Sequence, residues 1–235
     1  MIINVVPNYD ALSLTAAQRI AEEIRRKPRL VLGLAAGNTP SGTYRELVRM
    51  HREEGLDFSE VVVFNLDEYA ELEPTDPGSF TAFLHKTLLD LINVKKSNLH
   101  LLRFPEQSTV QRYCESFEEQ VRLLGGLDLQ IIGIGRNAHI AFNEPGSSFQ
   151  SRTRIVDLVE RSSEQSPRTA ITMGIGTILD SRRILLLVSG ASKAKSLTNA
   201  LEGKITESVP ASALQLHSDV VVIADEASAS LLSKK

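Results

Sequence analysis

The chain contains no tryptophan, one cysteine and only 5% aromatic residues. A lone thiol, Cys114, cannot close an internal disulfide, so the fold must be held by its core, and the chain suits a reducing compartment. Cys114 lies in a helical stretch, 111–124, with no local group to activate it, so it reads as a reduced core or surface thiol and not as a nucleophile. No apolar run approaches the roughly 20 residues of a membrane helix. The start, Met1-Ile2-Ile3-Asn4-Val5-Val6, lacks the basic region and cleavage site of a signal peptide. A cytoplasmic protein without a membrane partner is expected. The net charge of −3 leaves no excess of cations for a nucleic-acid stripe. An anionic ligand would therefore be held by local donors and not by a global field. The five histidines, 51, 85, 100, 139 and 217, show no ligand spacing, so no metal site is predicted.

What is present is an alternation of short apolar runs with longer amphipathic ones. Strands are predicted at 2–6, 29–34, 61–66, 99–102, 127–134, 184–189 and 220–224, several apolar at consecutive positions as in strands buried on both faces. Helices are predicted at 12–27, 41–54, 79–91, 110–124, 192–201 and 225–233. This order predicts an α/β fold in one domain, 1–235: a single doubly wound, mostly parallel sheet with helices on both faces, Rossmann-like. Ligands of such sheets bind at the carboxyl ends of the strands.

Four segments fall there. The first runs from Leu32 through Ala35, Ala36, Gly37, Asn38 and Thr39 to Pro40 and Ser41. A small-residue loop entering a helix near Pro40 or Ser41 exposes N–H groups that bind an anion, although a plain tight turn has the same look. No lysine follows Gly42, so the loop is not a nucleotide P-loop. The second, Asn65-Leu66-Asp67-Glu68-Tyr69, puts carboxylates at a strand end; they could be surface charges or caps, but a carboxylate there also suits proton abstraction beside a carbonyl. The third, Gly133–Gly146, contains Asn137, His139 and Glu144. A histidine beside an apolar run is more often packed than catalytic, yet one with a carboxylate or amide partner can shuttle protons. In the fourth, Ser189-Gly190-Ala191-Ser192-Lys193, a serine would cap the next helix, and Lys193 in its first turn opposes the helix dipole unless an anion binds beside it.

With these segments, and with Pro210-Ala211-Ser212-Ala213-Leu214-Gln215-Leu216-His217, the chain resembles the glucosamine-6-phosphate deaminase family from end to end. The Phe142-Asn143-Glu144-Pro145 run resembles the deaminases more than the sister 6-phosphogluconolactonases. The resemblance implies a cofactor-free aldose–ketose isomerisation of an amino-sugar phosphate with release of ammonia. By resemblance the enolisation base falls on Asp67. Ring opening falls on His139, oriented by Glu144 and Asn137. Phosphate contacts fall on Ala36, Gly37, Asn38, Thr39 and Lys193. Galactosamine-6-phosphate as substrate, lactone hydrolysis and sugar-phosphate sensing without catalysis are the competing readings.

The chain departs from the family pattern in several places. Ala36 and Asn38 stand where relatives commonly have Thr and Gly, and Ala138 replaces a glycine. The segment 158–170, where relatives carry a longer lid with a phosphate-binding arginine, is short, leaving Arg161 or Arg168 as substitutes. Regulated members resemble one another in a basic cluster after the glutamate motif. Here Arg152 and Arg154 are present but Val156 replaces a lysine, so no effector response and a monomer or small homo-oligomer are expected.

Overall fold

The computed structural model describes residues 1–103, 110–158 and 167–233. Seven parallel strands form the main sheet: β1 (Ile2–Val6), β2 (Val31–Leu34), β3 (Val62–Asn65), β5 (Leu99–His100), β6 (Leu129–Ile132), β9 (Ile184–Val188) and β10 (Val220–Asp225). They lie in the order β1-β10-β9-β6-β2-β3-β5. The consecutive apolar runs are buried on both faces: every residue of β2, β3, β6, β9 and β10 is buried. Each such Leu, Ile or Val stabilises the fold by about 1.5–3 kcal/mol over its exposed state.

Two cores result, one on each face. Helices α1 (Tyr9–Arg26) and α2 (Asn38–Glu54) bury Leu12, Ile20, Tyr44 and Leu47 against one face. On the other, α4 (Val110–Leu123) and α6 (Ala194–Glu202) bury Phe117 and Leu197. Asn8 caps α1 by accepting from Ala11 N at 3.0 Å. Cys114 is buried in the second core.

The sequence pattern did not reveal a second, three-stranded antiparallel sheet. It consists of β4 (Asp67–Tyr69), β8 (Thr169–Thr172) and β7 (Arg154–Asp157), in the order β4-β8-β7. The chain leaves β3 at Leu66, whose carbonyl accepts from Met173 N at 2.7 Å, and enters this smaller sheet at Asp67. Two short helices, α3 (Phe80–Thr87) and α5 (Ile175–Leu179), complete the fold. The expected helix over 225–233 is absent: Asp225 ends β10 and turns follow. Serines account for this, because Ser228 and Ser230 spend their hydroxyls on the carbonyls of Val188, Asp225 and Ala227.

The sheet changes direction of winding between β2 and β6. From β2 the chain adds β3 and then β5 on one side, and returns to add β6, β9 and β10 on the other. The carboxyl ends of β2 and β6 therefore flank a crevice, the position where doubly wound sheets bind ligands.

Candidate active site

A cavity of about 350 Å³ opens at this crevice. Its lining includes Ala36 from the loop after β2, Asn38 and Thr39 from the first turn of α2, Asp67 and Tyr69 from β4, Phe80 from α3, His139 and Phe142 from the loop after β6, and Lys193. The four segments singled out in the sequence thus meet in one pocket, joined by Phe80. Asn137 and Arg136 line an adjoining recess together with His139 and Lys193.

Asp67 is 8% exposed; burial first, and the neighbouring Glu68 carboxylate second, push its pKa up to about 8. Its backbone is fixed by buried Asn65, whose Nδ2 donates to Asp67 O at 3.0 Å while its Oδ1 accepts from Leu102 N at 2.6 Å. Sequence reasoning gave Asn65 no role. The same carboxylate charge, after burial, raises Tyr44 and Tyr69, which marks both phenols as its neighbours. Tyr69, Phe80 and Phe142 form one aromatic wall, with ring centroids 4.7 to 5.8 Å apart.

His139 Nδ1 lies 2.9 Å from Glu144 Oε1, and Asn137 Nδ2 donates to Glu144 Oε2 at 2.5 Å. Asn137 Oδ1 in turn accepts from His139 N at 3.2 Å, so the three side chains expected to work together do meet. The loop that carries them is tight. Ala138 sits at φ 67°, the left-handed region where a glycine was expected, and so carries local strain. Gly135 lies directly under the imidazole: a Cβ there would meet the ring at 2.4 Å. That close approach, not φ freedom, is why glycine occupies position 135.

The anion-binding loop reads differently in detail. Helix α2 begins at Asn38, two to three residues before the expected start at Pro40 or Ser41, with Gly37 as its N-cap at φ 112°. This geometry is accessible to glycine and strained for other residues. Asn38 is also held through its carbonyl, which accepts from Tyr9 Oη at 2.8 Å. Lys193 closes a 3-10 turn, Ala191–Lys193, immediately before α6 and is half-buried. Burial, and then the charge of Arg136, lower its pKa. Two cations therefore face one recess, and Arg136, which sequence reasoning missed, is the second. Neither expected serine caps α6: Ser189 Oγ instead donates to Asp225 Oδ2 at 2.5 Å, tying the turn to β10.

Of the two lid arginines, Arg161 lies outside the described residues. Arg168 is exposed, with its backbone N–H donating to Glu71 Oε1 at 3.1 Å, and does not line the cavity. Among the described residues no cluster of three His, Cys, Asp or Glu could hold a metal ion, and no helix is long and apolar enough to cross a membrane.

Residues 8–223 match the profile of the family described as glucosamine-6-phosphate isomerases/6-phosphogluconolactonase. The chain belongs to this family. Among the glucosamine-6-phosphate isomerase relatives, the glucosamine-6-phosphate deaminase of Clostridioides difficile (strain 630) is 44% identical over 245 aligned positions, covering 100% of this chain and 98% of the relative. Glucosamine-6-phosphate deaminase 1 of Bacillus subtilis (strain 168) is 46% identical, covering 95% and 96%. A solved structure described as a monomeric glucosamine-6-phosphate deaminase superposes with a TM-score of 0.94 at 45% identity, over 98% of this chain and 100% of that one. The 6-phosphogluconolactonase of Trypanosoma brucei, 20% identical with a TM-score of 0.81, covers 99% and 98% and shares the fold.

Proposed function

We propose that this chain is a glucosamine-6-phosphate deaminase that converts glucosamine-6-phosphate and water to fructose-6-phosphate and ammonia without a cofactor. The observation that carries the reading is that buried Asp67 and His139 line one cavity at the winding switch of the sheet, with Glu144 beside His139 and Asn137 bonded to Glu144. Relatives so named, 41–46% identical over nearly their whole lengths, support it.

In this mechanism His139, oriented through Nδ1 by Glu144, moves a proton from the O1 hydroxyl to the ring oxygen and opens the sugar. Asp67 then removes the proton from C2, next to the new C1 aldehyde, and delivers it to C1, while a proton passes from the amino nitrogen to O1. The resulting imine at C2 takes up water and releases ammonia, leaving a ketose. A carboxyl with its pKa near 8 is a strong base for a carboxylate. The substrate's cationic amino group, bound beside it, favours the ionised form that the reaction needs. Lys193 and Arg136 hold the phosphate with the N–H groups at the start of α2, a charge-assisted arrangement. The aromatic wall of Tyr69, Phe80 and Phe142 packs against the sugar and keeps water from the enolised intermediate. The enzyme works in the cytoplasm as a monomer or small homo-oligomer.

The test is ammonia release by the purified chain from glucosamine-6-phosphate and galactosamine-6-phosphate, beside hydrolysis of 6-phosphogluconolactone. Fastest turnover of the glucosamine sugar supports the reading. Preference for either of the other two compounds assigns the site to that chemistry, and no turnover of any leaves a sensor.

A further inference from the structure

Alternation along β4 turns Asp67 and Tyr69 to the cavity and Glu68 away from it. Glu68 is nonetheless 1% exposed, as buried as a core leucine. A bare carboxylate there would be costly, and its partners show how it is kept. Oε2 accepts from Ser79 Oγ at 2.8 Å and Thr81 N at 2.7 Å. Oε1 accepts from Phe80 N at 3.0 Å and Tyr69 N at 2.9 Å. All four are donors, and three come from the cap and first turn of α3. The ionised carboxylate matches them; a neutral amide would set its own N–H₂ against an N–H or O–H.

We propose that Glu68, which touches no substrate, is a positioning residue of this site: its buried carboxylate latches β4 to the first turn of α3, fixing Phe80 over the cavity and setting a second carboxylate behind Asp67. The proposal rests on the reading of Asp67 as the enolisation base.

Two consequences follow from the geometry. Beside the Tyr69–Phe80 ring contact, the latch is a hydrogen-bonded tie between the strand that carries the base and the helix that carries part of the aromatic wall, so loosening it opens the pocket. The second carboxylate makes Asp67 hold its proton more tightly, and a base that does so is the stronger one once ionised. The other titratable and charged groups around Asp67 are Tyr44 on α2, Tyr69 on β4, His139 on the loop after β6 and Lys193 before α6. Strand β8 presents only Ala170, Ile171 and Thr172 to β4. Among the described residues, Glu68 is thus the carboxylate whose charge raises Asp67.

The experiment is the pH dependence of kcat and kcat/KM for the full chain and its Glu68→Gln, Glu68→Asp and Asp67→Asn variants, with thermal unfolding of each. The ionisations of glucosamine-6-phosphate are common to all, so differences between variants belong to the protein. Glu68→Gln should move the acidic limb of kcat/KM down by about one pH unit and lower the plateau of kcat. Glu68→Asp keeps the charge on a shorter tether. It should leave the limb in place and raise KM about fivefold, the scale of one lost hydrogen bond. An unmoved limb in a folded Glu68→Gln protein overturns the proposal. If Glu68→Gln does not fold, Glu68→Asp decides: raised KM with the limb unmoved supports the latch, and an unchanged KM or a displaced limb overturns it. Near-normal activity of Asp67→Asn would instead remove the base itself, which separates failure of that reading from failure of this one.

Discussion

His139 Nδ1 lies 2.9 Å from Oε1 of Glu144, while the face of the imidazole rests on Gly135. The carboxylate sets the tautomer and the glycine sets the height of the ring above the loop. Because this pair is assigned to ring opening, His139→Gln should impair the cyclic sugar phosphate far more than an already open-chain analogue. Gly135→Ala should reproduce that bias, since its Cβ would force the ring aside. Steady-state kinetics on both compounds check this; equal losses on the two would place His139 elsewhere in the reaction.

Lys193 and Arg136 converge on the recess beside His139. Lys193→Ala should mainly raise KM for the phosphorylated sugar, by about ten- to a hundredfold, the scale of a lost charge-assisted bond of roughly 1.5–3 kcal/mol. Arg136→Ala, at a more exposed position, should do the same by a smaller factor. Saturation curves for the two variants are the check; a fall in kcat with KM unchanged speaks against phosphate binding here.

The buried Asp67 also makes stability depend on pH. Its pKa is pushed up to about 8 in the folded chain, mainly by burial, against an ordinary value of 3.8. Between those pH values the folded chain holds a proton that the unfolded chain has lost, so this residue makes stability fall as pH rises from about 4 to about 8. Asp67→Asn removes that slope. Thermal unfolding should show the variant gaining on the wild type as pH increases across this window, with the largest difference above pH 8. A difference that does not vary with pH would mean that Asp67 is not held protonated.

Arg152 is already occupied: it donates to Asp180 and to Glu118, each at 2.6 Å. Arg154 donates to buried Asn143 at 2.8 Å and to Ser147 at 3.2 Å. With Val156 in place of a cation, little is left to bind an anionic effector, and an effector without differential affinity shifts no equilibrium. Saturation curves should be hyperbolic and unchanged by N-acetylglucosamine-6-phosphate, with light scattering reporting a monomer or small oligomer. A sigmoidal curve made hyperbolic by that compound, or a stable hexamer, would count against this.

The main sheet was legible because its strands are apolar at consecutive positions, as in Val220-Val221-Val222-Ile223, a pattern set by burial on both faces. The smaller sheet was not. Its strand β4 has three residues, Asp67-Glu68-Tyr69, and β7 begins on Arg154 and ends on Asp157, so neither shows an apolar period. Asp67, His139, Glu144 and Lys193 could be picked out because each follows a strand of the main sheet. Asn65, Gly135 and Arg136 could not, and Glu68 only as one of two carboxylates that could cap a helix, because what they do depends on contacts with segments elsewhere in the chain or on a ring lying overhead. The helix expected after Asp225 failed for a local reason: serine hydroxyls there bond the backbone and favour turns.

The most direct measurement is ammonia release from glucosamine-6-phosphate by the wild type and by Asp67→Asn, with circular dichroism to confirm that both are folded. The wild type should release one ammonia for each fructose-6-phosphate formed, and the variant should be slower by about 10²-fold or more, the scale of a lost positioned base. No ammonia from the wild type, or turnover by the variant at the wild-type rate, would contradict the account.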